Sequence, residues 1–184
     1  KPRTNIDETI KQRFYSKIPS RDLADVLRLV NKECNFLSAF TPLQPLFAKQ
    51  VSKEENLLAV LTAQATNRSN QKMAEICDIS YSELETTYMQ CFRLATLKEA
   101  NDLIVNAIAE LPIFPHYSLD LIDLYAPTDG QKYRTRRPTV KARGSKKYFK
   151  KGVGVVAFTL LANHAALSTE IIGAHDPESY YTFD

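Results

Sequence analysis

Cysteine, histidine and glycine are all scarce in this chain of 184 residues, and each scarcity removes a class of chemistry. The three cysteines, Cys34, Cys77 and Cys91, are odd in number, widely spaced and without a CxxC pair. That pattern argues against both a disulfide framework and a zinc site, and predicts reduced thiols in a cytoplasmic protein. His116, His164 and His175 are scattered, with no HxxxH spacing to hold a metal. Five glycines make no phosphate-cradling loop, and neither a Ser-His-Asp order nor a cysteine-nucleophile signature is present. No apolar run is long enough to cross a bilayer, so no membrane partner is expected. Lys1-Pro2-Arg3-Thr4 leads straight into polar sequence, which does not read as a signal peptide.

The chain is long enough to bury a core, as one domain or two small ones. Its net charge of +3 is unremarkable, but its charge is unevenly placed. Between Gln131 and Lys151 there is no acid and there are ten basic residues: Lys132, Arg134, Arg136, Arg137, Lys141, Arg143, Lys146, Lys147, Lys150 and Lys151. The rest of the chain holds 14 basic and 21 acidic residues, a net of −7. Such asymmetry points to a polyanion at the basic end, with a solvated basic loop as the plain alternative.

Residues 1 to about 115 read as helices. Ile6, Ile10 and Phe14 share a helical face, and Ser20 precedes an amphipathic run carrying Leu23, Val26, Leu27 and Val30. Phe36 to Phe47, with Pro42 and Pro45, reads as a packed connector with at most a short helix. Ser52 with Glu55, Ser80 with Glu83 and Thr96 with Glu99 have capping-box spacing. They predict helices near 53–66, 81–92 and 97–111, with a shorter one near 70–77. Pro112 and Pro115 close the helical half. Beyond Tyr125 the period changes. Gly152–Asn163 reads as a strand buried on both faces, Asn163-His164 as a turn, and Ala165–Ile172 as a second strand ended by Gly173. Asp176-Pro177 has the form of a helix start, with Asp as N-cap. A sheet of two or three strands and so short a final helix make an unfinished α/β unit, as expected of an internal piece of a larger protein.

Three constellations invite a chemical reading. Asp129-Gly130 is a strong hairpin-turn signal, and spacing alone favours a turn. The alternative puts Asp129 on a first strand as a ligand of Mg2+, a hard cation that prefers carboxylate oxygen. Two such metals could drive phosphoryl transfer, but they need two or three convergent acids. Asp120, Asp123, Glu170, Asp176, Glu178 and Asp184 are available, and no spacing selects among them. The basic run interleaves Tyr133, Tyr148 and Phe149, so it can neutralise phosphates and stack on unpaired bases. Arg136-Arg137-Pro138 and Ala142–Ser145 read as loop. Residues 70–92 resemble a helix-turn-helix, but Asp78 stands in the turn, and Glu83 and Glu85 would face phosphate. A helix pair packed in the core is the simpler reading.

Several blocks in register resemble the transposases of the Tn-three family of replicative bacterial transposons. They are Lys17–Asp25, Leu57–Asn67, Lys72–Glu75 and Thr128-Asp129-Gly130-Gln131, followed by Val153–Thr159 and Ala174-His175-Asp176. The resemblance runs from about Asp7 to the end of the chain. It implies an α+β chain, with an all-helical domain at 1–115 and, at 116–184, the first strands and the start of the first helix of an incomplete RNase H-like α/β catalytic core. It implies a DDE/D transposase in which Asp129 is the first catalytic acid and a ligand of Mg2+ or Mn2+. The family's other Asp and its Glu would lie beyond Asp184, so the piece alone should be inactive. Implied partners are DNA, as transposon ends and target, and further copies of the enzyme assembled on it. The implied reaction is hydrolysis that frees a 3′-hydroxyl at each transposon end, followed by attack of that hydroxyl on target DNA. A different class of function stays open: a non-catalytic DNA-binding or assembly module using the basic run or the 70–92 helix pair.

Overall fold

A computed structural model describes residues 8–43, 52–117, 127–162 and 165–181. Among the described residues six α-helices come first: α1 (Glu8–Tyr15), α2 (Leu23–Cys34), α3 (Glu54–Ala65), α4 (Asn70–Ala74), α5 (Tyr81–Cys91) and α6 (Leu94–Ala109). Strands follow: β1 (Thr128–Arg134), β2 (Arg143–Gly144), β3 (Val153–Ala162) and β4 (Ala165–Gly173). A short helix, α7 (Lys146–Phe149), lies between β2 and β3, and a 3-10 turn (Glu178–Tyr181) follows β4. The chain is α+β, as expected.

Local chemistry explains most helix boundaries. The Asp22 carboxylate caps α2, accepting from the Asp25 N–H at 2.6 Å. Asn35 ends that helix at φ 50°, a left-handed conformation that asparagine tolerates. The Ser80–Glu83 box forms as expected at the start of α5. The other two boxes do not. The α3 helix starts after Lys53 without a side-chain cap, while the Ser52 hydroxyl meets the Cys91 thiol at 3.2 Å. The α6 helix starts earlier than expected, at Leu94, which places Thr96 in its first turn. There its hydroxyl oxygen accepts from the Arg93 N–H at 3.1 Å, and the hydroxyl reaches the Cys91 carbonyl at 2.7 Å. A hydroxyl with a buried carbonyl in reach goes to the carbonyl, so spacing alone misplaces the cap.

Two contiguous apolar clusters hold the helices together. Phe36, Leu37, Ala39 and Phe40, from a 3-10 turn in the predicted connector, pack on Leu57, Leu58, Cys91 and Ala100. Val60, Ala63, Met73 and Leu84 join α3, α4 and α5. On α1 the residues Ile10 and Phe14 are exposed, so among the described residues the expected apolar face of that helix covers nothing; Ile6 lies outside them.

The sheet is antiparallel throughout, with β3 at its centre. Along one edge β1 pairs from Thr128↔Leu160 to Arg134↔Gly154, and along the other β4 pairs from Val155↔Gly173 to Ala162↔Ala165. The two residues of β2 pair with Val153 and Gly154. Burial alternates along β3, so one face is sealed and the other half-open. The expected strand buried on both faces is thereby corrected. Apolar residues at every position mark a parallel strand only when helices cover both faces. The sealed face carries Val156, Phe158 and Ile172, with Ala174, Phe149 and Tyr181 packed over it. Gly154 is required there, because a Cβ would sit 2.4 Å from the Phe149 ring. The predicted turn at Asn163-His164 lies outside the described residues.

The helices meet the sheet through α6 and β4. The Asn101 amide donates to the carbonyls of Ala166 (3.0 Å) and Leu167 (3.2 Å), and Lys98 pairs with Glu170 at 3.7 Å.

Candidate functional site

Asp129 is on a strand, not in a turn. The Asp-Gly hairpin signal fails because Asp129 and Gly130 both sit inside β1, opposite Thr159 and Phe158 of β3. Side chains alternate across a strand, so Asp129, Gln131 and Tyr133 share one face with their cross-strand partners Thr159, Ala157 and Val155. Gly130, Lys132 and Arg134 point to the sealed face. Asp129 is exposed, and its Oδ1 accepts from the Gly130 N–H at 2.8 Å. Among the described residues it makes no ion pair.

Beside it, on the opposite face, is a second polar feature. The Lys132 ammonium donates to Glu178 Oε1 at 2.8 Å and lies 4.5 Å from the centre of the Tyr148 ring. The hydrogen bond that it donates to Glu178 holds the Lys132 ammonium above its ordinary pKa, against a smaller opposing cost of burial. Gly130 makes room for this pair, since a Cβ there would lie 2.4 Å from Glu178 Oε1.

Of the other acids considered as partners for Asp129, Glu170 pairs with Lys98 and Glu178 with Lys132. Asp176 accepts from the Gly173 N–H at 3.0 Å and lies 3.3 Å from the Tyr181 hydroxyl. It thus ties β4 to the following turn instead of capping a helix, and among the described residues a 3-10 turn, not an α-helix, follows it. Asp120, Asp123 and Asp184 lie outside the described residues. Among the described residues no three acidic, histidine or cysteine side chains converge on a metal position. Asp129 offers what a hard cation needs, an exposed carboxylate with one oxygen engaged. The described residues therefore fit a divalent cation as one ligand, not as a complete site.

The basic run divides in three dimensions. Lys132 is half-buried, and the other nine residues are exposed. Arg143 closes its own loop, donating to the Val140 (2.7 Å) and Ala142 (3.1 Å) carbonyls. Arg134 lies against Gly152, where a Cβ would meet its Nε at 2.7 Å. Lys147 lies 5.0 Å from the centre of the Tyr148 ring, which Lys132 also approaches. The predicted loop at Ala142–Ser145 is partly strand, because Arg143 and Gly144 pair with β3. Arg134 and Arg143 flank Gly154 from its two sides, so these charges gather at one end of β3. Asp129 is five residues away along β1, roughly 17 Å for an extended strand.

The 70–92 helix pair is core structure. Met73 and Leu84 are buried, Glu83 is held in its cap, and Glu85 accepts from the Asn70 amide at 2.9 Å. Thr159 and Thr169, which share the face of Asp129, were not singled out from the sequence. Nothing in linear spacing relates positions 129, 159 and 169. Only strand register does.

No helix among the described residues is long and apolar enough to cross a membrane. Over 169 residues the chain is 25% identical to the transposase for transposon Tn4556 of Streptomyces fradiae, covering 91% of this chain and 19% of that protein. The chain thus spans about a fifth of the length of that relative. Residues 25–184 match the family described as the Tn3 transposase DDE domain. With an acid in a Thr-Asp-Gly-Gln block on a sheet strand and a match over most of its length, the chain belongs to the Tn3 transposase DDE domain family.

Proposed function

We propose that this chain forms part of the catalytic core of a DNA transposase, with Asp129 as one of three acids that hold Mg2+ or Mn2+. The observation that carries the reading is the position of Asp129: an exposed carboxylate on β1, in the Thr128–Gln131 block that resembles the family, without an ion pair among the described residues. In this reading 1–115 is a helical domain, and 116–184 contributes the opening strands of an RNase H-like core. The two remaining acids come from outside the described residues, and the chain alone does not cleave DNA. Asp129 would hold a divalent cation there as one ligand, and the cation when bound would supply charge neutralisation at the scissile phosphate and activation of the attacking oxygen. The chain's own part is to fix one carboxylate on a sheet, where backbone pairing on β3 limits its motion. DNA, as transposon ends and target, is the substrate. The active form is an assembly of several copies on that DNA, in the cytoplasm.

Complementation tests the reading. In the full-length transposase, Asp129→Ala should abolish strand cleavage while DNA binding, followed by gel shift, is retained. Cleavage by that variant would remove Asp129 from the active site.

A second reading, a non-catalytic DNA-binding module, draws on the nine exposed basic residues around β2 and α7. It is compatible with the first within one large enzyme.

A further inference from the structure

The half-open face of the sheet carries a row of three polar side chains across three strands. Asp129 of β1 is opposite Thr159 of β3, and Thr159 is opposite Thr169 of β4. The rows beside it are different. Ala157 stands between Gln131 and Ile171, and Val155 stands between Tyr133 and Gly173. Directly opposed residues in an antiparallel pair place their Cβ atoms about 4.5–5.5 Å apart, within reach of a short polar side chain. The two hydroxyls are bonded to each other, with 3.1 Å between their Oγ1 atoms. Both threonines are half-buried, while Asp129 at the end of the row is exposed.

We propose that Thr159 is a positioning residue for Asp129, its hydroxyl held by Thr169 so that its proton is directed at the Asp129 carboxylate. The inference rests on the reading of Asp129 as a metal ligand. A hydroxyl has one proton to donate and lone pairs to accept with. When Thr169 donates to Thr159, the Thr159 proton is left for the neighbour on its other side, and that neighbour is Asp129. In this structure the carboxylate accepts from the Gly130 N–H at Oδ1 and makes no hydrogen bond to Thr159. A second donor from across the strand pair would fix the plane of the group when a cation is bound and leave its remaining lone pairs for that cation. Carboxylate ligands are held this way in metal sites generally, and removing the outer partner weakens metal affinity about 10- to 100-fold. A cross-strand pair of threonines also stabilises a sheet in its own right. The test must therefore read something that sheet stability does not move.

That readout is Mn2+ affinity in the full-length transposase, measured from the free-ion signal in electron paramagnetic resonance, with thermal unfolding recorded alongside. Thr159→Val keeps the shape and suits a strand, so it should fold, and it should weaken Mn2+ binding roughly tenfold. Thr159→Ser restores the hydroxyl and should restore most of the affinity. Thr169→Val, which removes only the supporting hydroxyl, should fall between the two and serves as the arm of record if Thr159→Val does not fold. Wild-type affinity in Thr159→Val, or in Thr169→Val when only that variant folds, overturns the proposal. So does a loss that Thr159→Ser fails to recover. Asp129→Ala separates the two levels. If it abolishes binding while Thr159→Val does not weaken it, only the positioning role fails. If Asp129→Ala binds normally, the assignment of Asp129 fails and the positioning role fails with it.

Discussion

Gly130 shows how much a missing side chain can carry. No glycine among the described residues has a positive φ, so Gly130 is not there for backbone freedom. It is there for approach: the Glu178 carboxylate occupies the place a Cβ would take and reaches Lys132. The clash falls on the far end of a flexible side chain, so Gly130→Ala should fold and displace Glu178. The Glu178 side chain is 36% exposed, so solvent screens the pair and the cost should be about 0.5–1 kcal/mol. Chemical denaturation of Gly130→Ala, Glu178→Gln and the double variant checks this. The double variant should cost little more than the worse single one, because both disrupt the same Lys132–Glu178 pair. The pH dependence has a defined sign. The folded-state pKa of Lys132 is raised above 10.5, so the stability it contributes is complete below 10.5 and is lost as pH climbs through the raised value. In Glu178→Gln, that alkaline loss should shrink, since Glu178 is its largest cause.

At the scale of elements, the start of α5 is the cleanest case of sequence chemistry becoming structure. The Ser80 hydroxyl accepts from the Glu83 N–H at 3.3 Å, and the Glu83 carboxylate accepts from the Ser80 N–H at 3.2 Å and from its hydroxyl at 2.8 Å. Ser80→Ala should destabilise the helical half by about 1 kcal/mol in thermal or urea unfolding. The bonds from Ser80 lower the pKa of Glu83 below its ordinary value. Stability from this cap is therefore present above the ordinary carboxylate pKa and is lost as pH falls through the lowered one. Glu83→Gln should show a smaller acid loss than the parent. Thr96 has the same spacing and behaves differently, since its hydroxyl reaches a carbonyl inside the molecule. Capping boxes are legible from sequence where the cap faces water. They are overridden where a buried acceptor competes.

Across the whole molecule, acid and base are neighbours in sequence but separated in space. Asp129 lies toward one end of β1, while Arg134 and Arg143 gather at the other, beside Gly154. A nucleic acid that touches both must run along the sheet. Titrating duplex DNA against this chain at several salt concentrations tests the basic end. In Arg136→Ala/Arg137→Ala/Lys146→Ala/Lys147→Ala, the slope of log affinity against log salt should become shallower by up to roughly 3.6 units, each lost phosphate contact contributing about 0.9. A parental slope in the variant would show that these four charges do not meet phosphate.

Much of this protein could be read from its sequence, because the relevant interactions are local. Helix periodicity, the Ser80–Glu83 box, the β3 and β4 segments and the charge asymmetry all depend on residues within a few positions of one another. The Thr128–Gln131 block that carries the family resemblance is likewise legible without any structure. What only the tertiary structure decided is pairing between distant residues. The Asp-Gly hairpin signal loses to the pairing of β1 with a strand some 30 residues later, since several ladder bonds and the Phe158 face outweigh one local turn preference. The same register lines up Asp129, Thr159 and Thr169, and sets Glu178 over Gly130. Side-chain period in a strand is two whatever its partner, so sequence can show which residues share a face, but only the register of pairing shows which of them meet.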